Sequence, residues 1–153
     1  SRDYVVSQAS GLTIAEGTWG YTVALGNRLG TAPTNFRDSP GFLLETGYLT
    51  TPGDLGTFVV IASTTVAEAT INALTDGAMD DFSVSSAIAG GDAAIGNEFA
   101  IRFTTQNSGT VATANGNSAL QAGVDNIRVT IPEPSAAALL ALGLAGVFAR
   151  RRR

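Results

Sequence analysis

Short runs in which apolar and polar side chains alternate recur along the chain up to residue 131. The alternation is clearest at Phe99, Ile101 and Phe103, which Ala100 and Arg102 separate. Successive side chains of a strand point to opposite faces, so this pattern predicts strands with one apolar face. Clusters of Gly, Asn, Asp, Ser and Pro lie between the runs and predict turns. The runs predict about nine strands, over residues 3–7, 11–15, 18–26, 41–49, 56–63, 65–74, 82–87, 98–105 and 123–130.

The run at residues 65–74 fits two structures. Val66, Ala69, Ala73 and Leu74 follow helical spacing. The Thr and Ile residues of the same run are β-branched and favour a strand, so we predict a strand over these residues.

Many short strands with one apolar face each need a second sheet to cover that face. The prediction is therefore an all-β fold, a β-sandwich or jelly roll, with a short hydrophobic helix at the C-terminus. Most aromatic residues are then expected in the core, namely Trp19, Tyr21, Phe42, Tyr48, Phe58, Phe82, Phe99 and Phe103.

Three reactive side chains are missing from the composition. The chain has no His and no Cys, and all nine basic residues are Arg, so it has no Lys. Their absence excludes Ser-His and Cys-His nucleophile pairs, ordinary zinc and haem sites, and Schiff-base lysines. Carboxylates, hydroxyls and a hard cation such as calcium remain. We therefore predict that the protein is not an enzyme.

Charge divides the chain at Pro132. Residues 1–131 contain 12 acidic and 5 basic residues, a net charge of −7, whereas residues 132–153 contain one Glu and four Arg, a net charge of +3. An acidic region without Lys binds polyphosphates poorly, so we predict no nucleic-acid partner. Length and composition favour one β-sandwich domain, residues 1–131, followed by a C-terminal signal, residues 132–153.

The C-terminal signal begins with two prolines that flank an acidic residue. Pro132, Glu133 and Pro134 predict an extended and accessible segment, because proline fixes φ and interrupts regular pairing. Residues 136–149 are uncharged and apolar on every face, which predicts a short transmembrane helix. From residue 135 this helix would span roughly 22 Å, less than the ~30 Å hydrocarbon core, so a helix packed on the domain is the alternative. A basic stop follows, made of Arg150, Arg151, Arg152 and Arg153.

This order of parts resembles a known family of signals. Val-Thr-Ile-Pro-Glu-Pro-Ser at residues 129–135, an apolar stretch and an Arg cluster are similar to the PEP-CTERM sorting signal of Gram-negative bacteria. The resemblance implies recognition by exosortase, a membrane protease-transpeptidase, and export across the inner membrane with temporary retention by the tail. It also implies cleavage near Pro132, Glu133 and Pro134, and transfer to the outer surface or the exopolysaccharide matrix.

Two further features bear on the resemblance. Residues 21–28 and 123–130 are similar to segments found upstream of this signal in jelly-roll modules. Residues 1–11 lack the basic and apolar regions of a leader, so we expect that a leader was removed or that the chain begins inside a longer protein.

Two groups of side chains are candidates for binding. Asp125, at the start of the last predicted strand, and the pair Asp80 and Asp81 are candidate calcium ligands, because calcium prefers oxygen. The alternative is that Asp125 caps a turn and that the pair lies in a solvated loop. Trp19 and Tyr21 share one strand face and are candidates for stacking on sugar rings, with a place in the core as the alternative.

These observations predict an exported protein of the cell surface or extracellular matrix, with a structural or adhesive role. The first alternative is a calcium-stabilised carbohydrate-binding module, and the second is a carboxylate-based glycoside hydrolase. The expected partners are exosortase, the membrane through the C-terminal helix, and exopolysaccharide. Calcium is the one candidate cofactor.

Overall fold

The computed structural model describes residues 5–26, 41–75, 77–106 and 123–133. Within these ranges the chain forms seven strands: β1 (Val5–Thr13), β2 (Gly17–Gly26), β3 (Gly41–Leu49), β4 (Phe58–Val66), β5 (Met79–Ile88), β6 (Glu98–Gln106) and β7 (Gly123–Thr130). A 3₁₀ turn, Leu55–Thr57, precedes β4, and a five-residue helix, α1 (Glu68–Asn72), follows it.

The strands form two antiparallel sheets. One has four strands in the order β1-β6-β3-β4, and the other has three in the order β5-β2-β7. Neighbours in each sheet are mostly distant in sequence, so the fold depends on long-range pairing. The predicted all-β sandwich is confirmed.

The core lies between the inner faces of the two sheets. Tyr21, Val23 and Leu25 on β2 face inward and are almost completely buried. The Trp19 ring lies 5.2 Å from the Phe99 ring at an interplanar angle of 41°, which joins the sheets near their middle strands. Each large apolar side chain removed from water stabilises the fold by about 1.5–3 kcal/mol.

The prediction of a strand over residues 65–74 is wrong. β4 ends at Val66 and α1 begins at Glu68, because the helical spacing of this segment turns Ile71 into the core, where it is fully buried. Here the requirement to bury one apolar face outweighs the β-branched composition.

The predicted strands 3–7 and 11–15 are one strand. β1 runs from Val5 to Thr13 with an irregular register between Ala9 and Thr13, where Gly11 has φ +71°. Glycine adopts this conformation at little cost, so the strand bends without ending. These two differences reduce the predicted nine strands to seven in the described ranges.

The predicted C-terminal helix, residues 136–149, lies outside the described residues. Among the residues that the structure describes, no helix has the length and hydrophobicity needed to cross a membrane.

Candidate functional site

The first candidate site is the junction between the sandwich and the C-terminal signal. β7 pairs with β2 as far as Thr130, which lies opposite Gly20. Residues 124–131 are exposed, with Ile131 at 52 %, whereas Pro132 is half-buried and Glu133 is exposed again. Pro132 therefore packs on the sandwich after the strand has ended.

Pro132 packs against Gly17, the first residue of β2. Gly17 has φ +128°, and a Cβ built on it would lie only 2.5 Å from Cβ of Pro132 and 2.8 Å from its Cγ. Only glycine leaves room for the ring at this position. Proline also has no backbone N–H, so it cannot extend the strand pairing. At the junction, Pro132 therefore packs closely on Gly17, and the pairing of β7 with β2 ends.

The second candidate site lies on the outer face of the four-stranded sheet. Glu45 on β3 and Arg102 on β6 are directly opposite in the register. Arg102 donates from Nε to Glu45 Oε2 at 2.6 Å and from Nη2 to Oε1 at 3.0 Å. This two-point hydrogen bond holds the guanidinium in one plane and raises the pKa of Arg102. Arg102 is therefore a cation held in a fixed position, and part of its side chain remains accessible to solvent.

Phe58 holds the other side of the guanidinium. Cζ of Arg102 lies 4.4 Å from the centroid of the Phe58 ring, a cation–π contact. The ring reaches this position because Gly47 on β3 has no side chain. A Cβ on Gly47 would lie only 2.7 Å from Cζ of Phe58. Gly47 therefore makes the space in which Phe58 contacts Arg102.

Two hydroxyl side chains continue the line of Glu45 and Arg102 across the sheet. Ser7 on β1 lies opposite Arg102, and Ser63 on β4 lies opposite Glu45. We call Ser7, Arg102, Glu45 and Ser63 the Arg102 row. The row crosses all four strands and presents hydrogen-bonding groups on the outer face.

Trp19 and Tyr21, the predicted sugar-stacking pair, face the core. Their exposed fractions are 5 % and 1 %. Trp19 Nε1 donates to the carbonyl of Ala15 at 2.8 Å, and the Tyr21 hydroxyl donates to the carbonyl of Arg102 at 3.1 Å. Burial raises the pKa of Tyr21. Both rings therefore occupy the core position that the sequence left as the alternative, with no exposed ring face for a sugar.

The three predicted calcium ligands lie on the three-stranded sheet. Asp81 on β5 and Asp125 on β7 are both opposite Ala24 of β2, whereas Asp80 is opposite Leu25. Asp81 forms an ion pair with Arg128, Asp80 Oδ1 accepts from the Asp81 backbone N–H at 2.9 Å, and Asp125 Oδ1 accepts from the next backbone N–H at 2.7 Å. Among the described residues there is no group of three or more His, Cys, Asp or Glu placed to hold a metal.

The remaining predicted signal residues, Pro134, Arg150, Arg151, Arg152 and Arg153, lie outside the described residues. Neither Gly17 nor the Arg102 row was among the predicted sites. Alternation places Glu45 and Arg102 on the outer face, but their contact depends on the pairing of β3 with β6, which no local pattern reveals.

Residues 130–153 match the model of the PEP-CTERM protein-sorting motif. The resemblance seen in the sequence is confirmed for this segment, which carries a PEP-CTERM sorting motif. The motif marks an exported protein that exosortase processes, with transient membrane anchoring and a cell-surface fate. No curated protein matches the sequence.

The fold is similar to that of two crystal structures of cyclases from Fischerella sp. TAU. One is a cyclase in complex with 4-(1H-indol-3-yl)butan-2-one, and the other is the Stig cyclase Fisc in complex with (3Z)-3-(1-methyl-2-pyrrolidinylidene)-3H-indole. Each match has 19 % identity and a TM-score of 0.53 and covers 84 % of this chain. The match covers 57 % of the first cyclase and 56 % of the second, so this chain spans little more than half their length.

This likeness corrects the prediction that the protein is not an enzyme. The absence of His, Cys and Lys predicts a sandwich without catalysis, yet these two proteins of similar fold are enzymes. At 19 % identity the likeness shows the fold alone. The fold is therefore compatible with catalysis, and function has to be argued from the sites.

Proposed function

We propose that the sandwich is the part of the protein that stays outside the cell after exosortase removes the tail, and that it has a structural or adhesive role at the surface or in the extracellular matrix. The observation that carries this proposal is the junction. The sorting motif starts at residue 130, the last residue of β7, so a cut C-terminal to this residue would leave all seven described strands on the displayed protein. Loss of the tail would leave both sheets complete.

The charge of the sandwich supports an exposed position. Residues 1–131 carry a net charge of −7, which keeps a protein soluble and limits self-association. An anionic matrix polymer would be repelled, so a neutral polysaccharide or a cationic surface is the better adhesive partner.

The test compares the native host with a strain that lacks exosortase. In the wild type we expect the protein in the surface fraction, with an intact mass that excludes Arg150–Arg153. Without exosortase we expect the full mass, in the membrane fraction. A surface protein that retains the four arginines would contradict sorting by cleavage.

A second candidate function is carbohydrate binding at the Arg102 row. Arg102 is held between Glu45 and Phe58, keeps 30 % of its side chain exposed, and has hydroxyl groups on the same line. A fixed guanidinium loses little conformational freedom when it donates to a sugar hydroxyl, so such a row suits a neutral glycan.

A glycan array tests this candidate with a matched pair of variants. Arg102→Gln should weaken binding at least about tenfold, the loss of one charge-assisted hydrogen bond, whereas Arg128→Gln on the other sheet should not. Repeating the array in EGTA tests the calcium-stabilised form of the proposal, in which Asp80, Asp81 and Asp125 contribute. No binding at millimolar glycan would exclude this function.

A further inference from the structure

Pro132 belongs both to the sorting signal and to the folded sandwich. It is half-buried, although residues 124–131 before it and Glu133 after it are exposed. Its ring fills the space that Gly17 leaves, and the strand pairing that leads to it ends two residues earlier at Thr130. The carbonyl carbon of Pro132 is thus attached to a residue that the body holds in place.

A protease needs the backbone around its target bond to leave the folded structure, so burial and hydrogen bonding of that backbone decide where it cuts. Bonds up to and including the one after Pro132 require the ring to leave Gly17. Bonds C-terminal to Glu133 are at least one residue removed from the ring and therefore require less of this opening. The contact therefore holds the signal on the sandwich as far as Pro132, and the chain is exposed again at Glu133.

We propose that Gly17 and Pro132 set the position at which exosortase cuts, so that the bond broken lies C-terminal to Glu133 and the displayed protein retains both Pro132 and Glu133. The proposal rests on processing by exosortase. Gly17 and Pro132 are positioning residues in this account, because they act on the presentation of the bond and not on the reacting atoms.

The transfer involves no change of oxidation state. The peptide C–N bond breaks, and the acyl carbon of the body bonds to the oxygen of water or to the nucleophilic oxygen or nitrogen of an acceptor. The amine of the released tail takes the proton that the water or the acceptor loses. The two residues determine only which peptide bond, and therefore which acyl carbon, enters the active site of exosortase.

The first test identifies the new C-terminus. Trypsin cuts after Arg128, so the last peptide of the protein recovered from the host surface begins at Val129. We expect this peptide to include Glu133. A peptide that ends at Ile131 or Pro132 would overturn the proposal but leave sorting by cleavage intact. A peptide that runs to Arg150 would overturn the cleavage itself, and the proposal with it.

The second test needs no exosortase. A proline-specific endoprotease that accepts proteins is added to the full-length chain in detergent, and the rate of cutting after Pro132 is measured with the chain native and urea-unfolded. We expect the native chain to be cut at least about tenfold more slowly, because cutting must wait for local opening. Equal rates would overturn the proposal while leaving sorting untouched.

Gly17→Ala should remove this protection, since its Cβ occupies the place of the Pro132 ring. Gly91→Ala is the matched control, because Gly91 also has a positive φ, +88°, but has open space where the Cβ would lie. Trp19 is the single Trp and is buried, so its fluorescence reports whether each variant is folded. If Gly17→Ala does not fold, the comparison of native and unfolded wild type decides alone. A folded Gly17→Ala that keeps full protection would overturn the proposal.

Discussion

Each sheet carries one ion pair between a carboxylate and an arginine. The two pairs differ in their exposure to water. In the Glu45–Arg102 pair the side chains are 8 % and 30 % exposed, whereas in the Asp81–Arg128 pair they are 50 % and 51 % exposed. The first pair also stacks on Phe58 and joins adjacent strands, while the second spans from β5 to β7 across β2. Exposed pairs contribute little to stability, but a buried charge that loses its partner is costly. The comparison predicts unequal effects for chemically similar substitutions.

The largest effect is expected for Glu45→Gln. The substitution leaves the partly desolvated Arg102 cation with a neutral, weaker acceptor. We therefore expect the free energy of unfolding to fall by about 3 kcal/mol. Urea unfolding followed by Trp19 fluorescence measures this loss as a lower midpoint at unchanged slope.

The double variant Glu45→Gln/Arg102→Met separates the lost pair from the stranded charge. It should recover part of the stability, because Met replaces the cation and neither side chain of the double variant carries a charge. If the single variant is as stable as the wild type, the Glu45–Arg102 pair is no stronger than the exposed one.

Gly47→Ala tests whether Phe58 must lie beside Arg102. The added Cβ would lie 2.2 Å from the carbonyl oxygen of Val59 and 2.7 Å from Cζ of Phe58, so backbone or ring must move. We expect a loss of about 1–3 kcal/mol in urea unfolding. Gly90→Ala is the control, since Gly90 has no positive φ and its Cβ would meet only the flexible end of the Glu16 side chain, at 3.4 Å. A loss for Gly47→Ala no larger than that of the control would show that neither the Phe58 ring nor the Val59 backbone has to move.

The difference between the two pairs also marks the limit of prediction from sequence. Alternation around Phe99 and Ile101 gave the face on which Arg102 lies, and the order of prolines and arginines gave the sorting signal. The burial of Glu45 could not be predicted, because it depends on a register between strands far apart in the chain. The same holds for Gly17, whose role appears only when Pro132 is brought against it. The strand predicted for residues 65–74 is wrong because local propensity carries no information on the core that Ile71 fills.

The third effect is a dependence of stability on alkaline pH. Tyr21 donates its hydroxyl proton to the carbonyl of Arg102, and burial raises its pKa above the usual value near 10. Above pH 10 the unfolded chain loses this proton while the folded chain keeps it, so the unfolded state binds fewer protons and stability falls as pH rises.

The slope from this group develops above pH 10 and cannot exceed about 1.4 kcal/mol per pH unit, the value for one proton. Tyr21→Phe lacks the titrating group and should show a smaller slope in the same range, although losing the hydrogen bond should cost about 1 kcal/mol at pH 7. Identical slopes for the two proteins would place the titration elsewhere in the chain.

The smallest effect is expected for Asp81→Asn, the counterpart of Glu45→Gln on the three-stranded sheet. Both partners of this pair are half-exposed, so water already solvates the charges, and the loss should be below about 1 kcal/mol. Salt sharpens the contrast, because 0.5 M salt shortens the screening length to a few ångströms and should remove most of this small difference. The loss from Glu45→Gln should persist at the same ionic strength, since water and ions reach that carboxylate poorly. Similar salt dependence for both variants would mean that burial does not separate the two pairs.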